Sequence, residues 1–395
     1  MKKYRLFIVN SQQELLNAVN LVFNTPGYND HLNYIILNAD VSNVMPANYR
    51  ETLGELFEQV FEVVNVKHPE KTRLRQLNAT CPAGLRRSLF SLWIKIAGWF
   101  LGKFTVCACL KFCLGPRFCD ARYMEIYLQD NPLLTCKIFS YLYHHDGVRT
   151  IHMLDEGMAS YINPRVFKYF LHQYNDLQFI FHLYAPQFIA FPAPPLGRMI
   201  PLPVLSRHNT AFLRYLNRLF GYSSDNFLNR GIEFVILDQN IQTIYRRKQK
   251  KLRKQLFDFK VRLYQMAADA FGMKLWLKVH PRFISNKFIE QYQFKNIHIE
   301  PGAYNWPFEL LLLNAKTYPG IISVSSTAAF SPYIAMDGEL GDYKLIVLDR
   351  LFKLEKLSDR QLNKDRFIDQ LEAKYKFYRP RTVEEYRQIL QSLST

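Results

Sequence analysis

Short apolar runs recur along the chain, and most are separated by stretches whose apolar residues repeat with helical spacing. That alternation constrains the fold more than any other feature, because it is the mark of βαβ units built on a parallel sheet. The first cycle reads as a strand over Tyr4–Val9, a break at Asn10 and Ser11, and a helix over Glu14–Phe23. Strands are predicted next at Leu32–Leu37, Val60–Val66, Tyr123–Leu128 and Thr150–Leu154, with a helix over Pro132–Tyr143 between the last two. A proline-rich stretch from Phe191 through Pro201 and Pro203 interrupts the pattern. A second cycle then opens with a strand at Glu233–Leu237, a long helix over Arg247–Phe271 and a strand at Lys274–Val279. Later strands are predicted at Ile297–Glu300, Gly320–Val324 and Lys344–Leu348. The chain's 395 residues exceed what one hydrophobic core usually serves, so two α/β domains are expected.

Composition narrows the partners. With 49% hydrophobic and 22% charged residues the chain can bury substantial cores and is not disordered. The net charge of +17 implies a polyanionic neighbour: nucleic acid, an anionic membrane surface or an acidic substrate. No helix-turn-helix, zinc-finger or RNP pattern is visible, and the basic residues are not interleaved with aromatics, which argues against nucleic acid. The opening residues run straight into an apolar strand with no signal-peptide h-region or cleavage site, so a cytoplasmic chain with reduced thiols is expected. Among the six cysteines, Cys107, Cys109, Cys113 and Cys119 lack the paired C-x-x-C spacing of common zinc sites. His144-His145-Asp146 reads as a polar turn rather than a metal site.

Two segments carry charge in unusual settings. Residues 89–114 are strongly apolar but contain Lys95, Lys103 and Lys111. Each lysine would cost about 2.5–3.5 kcal/mol at the centre of a bilayer, which disfavours a spanning helix. An in-plane amphipathic helix and a buried helix-plus-strand both remain open readings. Arg246, Arg247, Lys248, Lys250, Lys251, Arg253 and Lys254 crowd the start of the long helix. Such a run is ordinarily a solvated face, although cations at a helix N-terminus are disfavoured unless an anionic partner meets them.

Residues just beyond the carboxyl ends of strands matter most in open α/β sheets, since ligands bind there. Three short motifs hold that position. Asp155-Glu156-Gly157 follows the strand ending at Leu154; two adjacent carboxylates repel, so one can hold a proton and serve as a base, and Gly157 permits a tight turn. Lys278-Val279-His280-Pro281-Arg282 ends another strand and offers an imidazole and two cations to a phosphate. Lys67-His68-Pro69 repeats the dipeptide after an earlier strand, and His280 is preferred because its partners follow in the same half. Ser323-Val324-Ser325-Ser326-Thr327 supplies hydroxyls and backbone N–H groups where a helix should begin, an arrangement suited to an anion or to ordinary capping. Between the last two motifs, Glu309 in a predicted helical first turn can accept from ribose hydroxyls or stabilise the helix start.

In this order the motifs resemble those of the bacterial sialyltransferases and polysialyltransferases, which share D/E-D/E-G, H-P and S-S/T elements. The stretch from Asn10 to Ala18 is similar to the loop after the first strand in glycosyltransferase family 52, without the Thr-Pro often found there. The resemblance covers four islands rather than continuous sequence. It implies an α/β fold of GT-B type, with two Rossmann-like domains facing across a cleft. It assigns the general base to Glu156, with Asp155 as the alternative, and the general acid to His280. Donor contacts fall to Lys278, Pro281, Arg282, Glu309, Ser325, Ser326 and Thr327, and acceptor or loop positions to Asn10, Ser11, Gln13 and Gly157.

The implied activity is inverting transfer of sialic acid from CMP-sialic acid to a hydroxyl of a cell-surface glycan, lipooligosaccharide or capsule in type, without a metal or other cofactor. The absence of a D-x-D motif agrees with the metal-free expectation. A CMP-Kdo or nucleotide-hexose donor is the alternative enzyme reading, and a basic nucleic-acid-binding protein the alternative outside enzymes. Expected surroundings are a CMP-sugar donor, a glycan acceptor and peripheral attachment to the anionic inner face of the cell membrane, with no nucleic acid; a homodimer is left open. Expected domains are 1–205 (acceptor side, with an insertion near 86–119), 206–375 (donor side) and a final helix, 376–395, packing back towards the first domain.

Overall fold

A computed structural model describes residues 4–28, 30–63, 125–129, 138–139, 142–144, 148–162, 170, 174, 176–191, 197–223, 231–239, 250–279, 306–336, 343–352 and 359–394. Residues 86–119, all six cysteines, His68, the predicted strand at 297–300 and the segment His280–Arg282 lie outside them. The chain divides into two compact units. The first comprises 1–156, 164–183 and 193–203; the second comprises 157–163, 184–192 and 204–395.

The first unit holds a seven-stranded sheet. Its strands are β1 (Tyr4–Val9), β2 (Leu32–Asn38), β3 (Gln59–Val63), β4 (Glu125–Leu128), β5 (Thr150–Leu154), β6 (Gln178–Leu183) and β7 (Gly197–Pro201). They lie in the order β3-β2-β1-β4-β5-β6-β7 and every pair is parallel. This is the doubly wound order, in which the chain reverses its direction of travel between β1 and β4. Leu6, Phe7, Ile8 and Val9 are all buried, as both faces of a central parallel strand must be.

Helix α1 (Gln12–Asn24) covers the sheet. Ser11 caps it, its Oγ accepting from the N–H of Glu14 at 3.2 Å, while Glu14 Oε2 accepts from the N–H of Asn10 at 2.6 Å. The Ser-x-x-Glu spacing thus forms a near-reciprocal capping arrangement. Two buried asparagines fasten α1 to its surroundings in this unit: Asn17 Nδ2 donates to the backbone oxygen of Asp155 and Asn20 Nδ2 to that of Pro203, both at 2.6 Å. Short helices α2 (Ala39–Ser42) and α3 (Tyr49–Leu53) complete the described helices before β3.

The second unit holds β8 (Phe234–Leu237), β9 (Leu275–Lys278), β10 (Gly320–Ser323) and β11 (Leu345–Val347) in the parallel order β11-β10-β8-β9. Here the reversal falls between β8 and β10. Its helices are α4 (Met158–Ile162), α5 (Thr210–Phe220), α6 (Lys250–Phe271), α7 (Phe308–Asn314), α8 (Ser331–Ile334), α9 (Asp359–Lys374) and α10 (Val383–Ser394). Segment 157–163 joins this unit through α9, where Tyr161 packs against Phe367 and Asn363 Nδ2 donates to the Ile162 oxygen at 2.9 Å.

The final helix, α10, contributes to the second core: Tyr386 and Leu390 enter it beside Leu263 and Ala267, and Tyr386 Oη donates to the Leu263 oxygen. Burying those side chains against α6 is the favourable outcome, since apolar area is removed from water within one core. The proline-rich linker contains an edge strand, β7, where Pro201 needs no ladder donor. Strand β6 is an addition to the predicted set; Gln178 and His182 mask it in sequence.

Candidate functional site

The carboxyl ends of β8 and β10 meet at the reversal point of the second sheet. Ser323, the last residue of β10, donates its hydroxyl to the Leu237 oxygen at 3.2 Å and accepts from the Ser326 N–H at 2.9 Å. That bond bends the chain so that Ser325 faces the loop after β8. Ser325 Oγ donates to Gln239 Oε1 at 2.9 Å. In place of the helix expected from the sequence, the chain continues into a 3₁₀ turn, Thr327–Ala329, and then the short α8. Any anion held here is therefore met by hydroxyls and individual N–H groups rather than by a developed helix dipole.

Gly157 comes to the same place. Its φ of +78° lies in the left-handed region, and a Cβ on it would stand 2.0 Å from Thr327 Cγ2. Met158 N–H donates to Thr327 Oγ1 at 3.2 Å. Glycine is required twice, for its backbone conformation and for the close approach of threonine. Glu156, immediately before Gly157, keeps partial exposure, whereas Asp155 is only 1% exposed.

The third motif enters through β9. Lys278 ends the strand; burial of its ammonium lowers its pKa to about 8, against the opposing pull of the Glu309 charge. Glu309 sits in the first turn of α7, buried, and its Oε1 accepts from Ser331 Oγ at 2.5 Å. Burial pushes the Glu309 carboxyl up, outweighing the Ser331 hydrogen bond and the Lys278 charge. The carboxylate expected to meet ribose is thus part of an internal Lys278–Glu309–Ser331 group. Val279 is buried beside the strand end, and His280, Pro281 and Arg282 lie outside the described residues.

The structure therefore brings Gly157, Thr327, Ser326 and Ser325 together on the second sheet, and separately joins Lys278 to Glu309. Asn10, Ser11 and Gln13 stand at the start of α1 in the first unit, where Ser11 is a helix cap. Sequence reading missed Asp238 and Gln239, just beyond β8, although the strand-end rule that found the other motifs applies to them equally. Asp238 Oδ1 accepts from Lys260 Nζ at 2.6 Å and from the Gln239 N–H at 2.8 Å, and Lys260 also donates to the Gln239 oxygen at 3.0 Å. Burial lowers the Lys260 pKa, opposed by Asp238. Ser331 was missed because nothing in sequence links it to Glu309.

Among the described residues, no group of three or more His, Cys, Asp or Glu is placed to hold a metal ion, and no helix is long and apolar enough to cross a membrane. In the basic run, Lys251 and Lys254 are exposed.

No protein-family model matches the chain, and no curated protein does. Among solved structures the chain is similar to the glycotransferase of kitacinnamycin, at 10% identity over 100% of this chain and 91% of that one, with a TM-score of 0.46. It is similar to Phytolacca americana UGT2 complexed with UDP-2-fluoro-glucose and pterostilbene, at 9% identity over 99% and 90%, with a TM-score of 0.46. It is also similar to Acinetobacter baumannii MurG, at 7% identity over 100% and 91%, with a TM-score of 0.40. These likenesses are too distant to carry an argument about chemistry.

Proposed function

We propose that the chain is a metal-independent, inverting glycosyltransferase of GT-B type that moves sialic acid from CMP-sialic acid to a hydroxyl of a cell-surface glycan. One observation carries the reading: Gly157 of the acidic turn packs against Thr327 of the hydroxyl run, beside the sheet's reversal point. Gly157 and Thr327, far apart in sequence, are thereby neighbours within the second unit, at the place where open α/β sheets bind ligands.

In this reading Glu156 takes the proton of the acceptor hydroxyl; its retained exposure favours it over buried Asp155. The acceptor oxygen forms a bond to the anomeric carbon as the bond from that carbon to the phosphate oxygen breaks. The bonding pair leaves with CMP, and His280 donates a proton to the phosphate. Ser325, Ser326 and Thr327 hold the phosphate, with Lys278, Pro281 and Arg282 beside it. Fixed donors aimed at the charge that builds on the leaving group are the largest expected catalytic contribution. Glu309 serves the ribose end through the group it forms with Lys278 and Ser331. The positive charge and exposed Lys251 and Lys254 favour work at an anionic membrane face.

Incubation with CMP-sialic acid, CMP-Kdo, UDP-hexoses and dTDP-hexoses, each with a glycan acceptor, tests the proposal. Release of CMP from CMP-sialic acid alone is expected, unchanged by a chelator. Release from a hexose donor would transfer the site to another sugar, and salt-sensitive DNA binding without any transfer would end the enzyme reading. Glu156→Gln and His280→Ala should each lower turnover by about 10²–10⁴-fold without changing the melting temperature, while His68→Ala leaves turnover intact.

A further inference from the structure

We propose that Gln239 is a positioning residue whose side-chain amide sets the direction of the Ser325 hydroxyl, and so decides whether the hydroxyl run accepts a phosphate monoester. The inference rests on the reading of Ser325 as a phosphate contact. It starts from an asymmetry in how Gln239 is held. Its backbone is fixed at both polar groups: the N–H donates to Asp238 Oδ1 at 2.8 Å, and the oxygen accepts from Lys260 Nζ at 3.0 Å. Asp238 and Lys260 form an ion pair at 2.6 Å whose side chains are 0% and 2% exposed, and Tyr264 Oη adds a contact to Asp238 at 3.4 Å. Two buried charges thus converge on the main chain of one partly exposed residue, whose side chain reaches out to Ser325.

The chemistry at the end of that side chain has two settings. With the amide oxygen towards Ser325, the serine proton is spent on Gln239 and only lone pairs remain for a ligand, which repel phosphate oxygens. Turned half a revolution, the amide presents its NH₂ group, which donates to Ser325 Oγ and releases the hydroxyl proton for a phosphate oxygen. The two orientations are nearly identical in shape, so the exchange needs no repacking. Among side chains of this size only glutamine offers both settings: glutamate accepts only, and methionine does neither. The Asp238–Lys260 clamp keeps the backbone still while the amide turns, which makes the small motion specific to Ser325.

Isothermal titration with CMP tests this on the full chain. Relative to wild type, Gln239→Met should weaken CMP binding about ten-fold and Gln239→Glu more, while melting temperatures stay close to wild type. In a Ser325→Ala background the further change Gln239→Met should have no effect, because the hydroxyl it orients is gone. If Gln239→Met binds CMP as wild type does, or loses the same factor with and without Ser325, the positioning role is wrong. If folded wild-type protein binds no CMP at all, the reading of the hydroxyl run as a nucleotide site fails instead.

Discussion

In the first unit one cluster of polar groups is centred on the strands of the sheet. Arg5 of β1 donates to Glu125 of β4 at 2.7 Å, Tyr127 donates to the same carboxylate at 2.9 Å, and Tyr28 meets Tyr127 at 3.1 Å. Beside them His152 Nδ1 and His182 Nε2 stand 2.8 Å apart, with the His152 ring against Tyr127. In the second unit one group of polar residues gathers at or just past strand ends: buried Asp238 after β8, half-buried Lys278 closing β9, and buried Ser323 and Ser325 around the end of β10. Their partners come from helices, Lys260 of α6 and Glu309 of α7. A polar group inside a covered sheet can be satisfied only by its neighbours, so such a cluster mainly specifies packing. One at a strand end borders the loops where a ligand can enter, so the same burial there can tune chemistry.

The largest test of that contrast is removal of half of a buried pair. Lys260→Met removes the cation paired with buried Asp238, and should lower stability by about 3–5 kcal/mol in denaturant unfolding. Arg5→Met, whose partner Glu125 keeps 17% exposure, should cost distinctly less. Equal losses would erase the distinction between the two clusters. Gly157→Ala comes next, at about 1–3 kcal/mol for a side chain forced to positive φ. Its overlap with Thr327 Cγ2 should also depress turnover, and Thr327→Ser in the same chain should recover part of the turnover by removing that methyl.

A further effect is read against pH. Burial, aided by the nearby His152, lowers the His182 pKa from 6.5 to about 3. The unfolded chain therefore binds this proton first on acidification. Stability from the neutral ring is complete above about 6.5 and declines as pH falls towards 3, by at most about 1.4 kcal/mol per pH unit. Glu125 acts in the same direction at lower pH: burial would raise it, but Arg5 and its other partners hold it below its ordinary value. Melting curves between pH 6.5 and 5 include the histidine's contribution, and His182→Gln should flatten them. An unchanged slope would mean that the strand-centred cluster is not what makes the first unit acid-sensitive.

The elements legible in sequence are those whose residues are mostly apolar. Strands at Tyr4–Val9 and Thr150–Leu154 match expectation end to end, and the Leu32 strand extends one residue further, to Asn38. β6 and β7 were not legible, because the His182–His152 pairing and the edge position of Pro201 make their polar and proline residues acceptable only in context. The Ser11-x-x-Glu14 cap is visible as a pattern, yet the resemblance casts it as a binding loop. Asp238-Gln239 carries no glycine or proline to mark it, so its place beside Ser325 emerges only from strand order.

Local sequence by itself determined the βα alternation, the parallel sheets and the acidic, basic and hydroxyl motifs at strand ends, because periodicity and turn chemistry act over a few residues. Tertiary structure alone decided that Met158 meets Thr327, 169 positions further along the chain, that Lys278 answers Glu309, and that α10 stays in the second core. Those outcomes depend on which side of β8 each later strand joins. That choice is made by burial of whole faces, a quantity no short stretch of sequence contains.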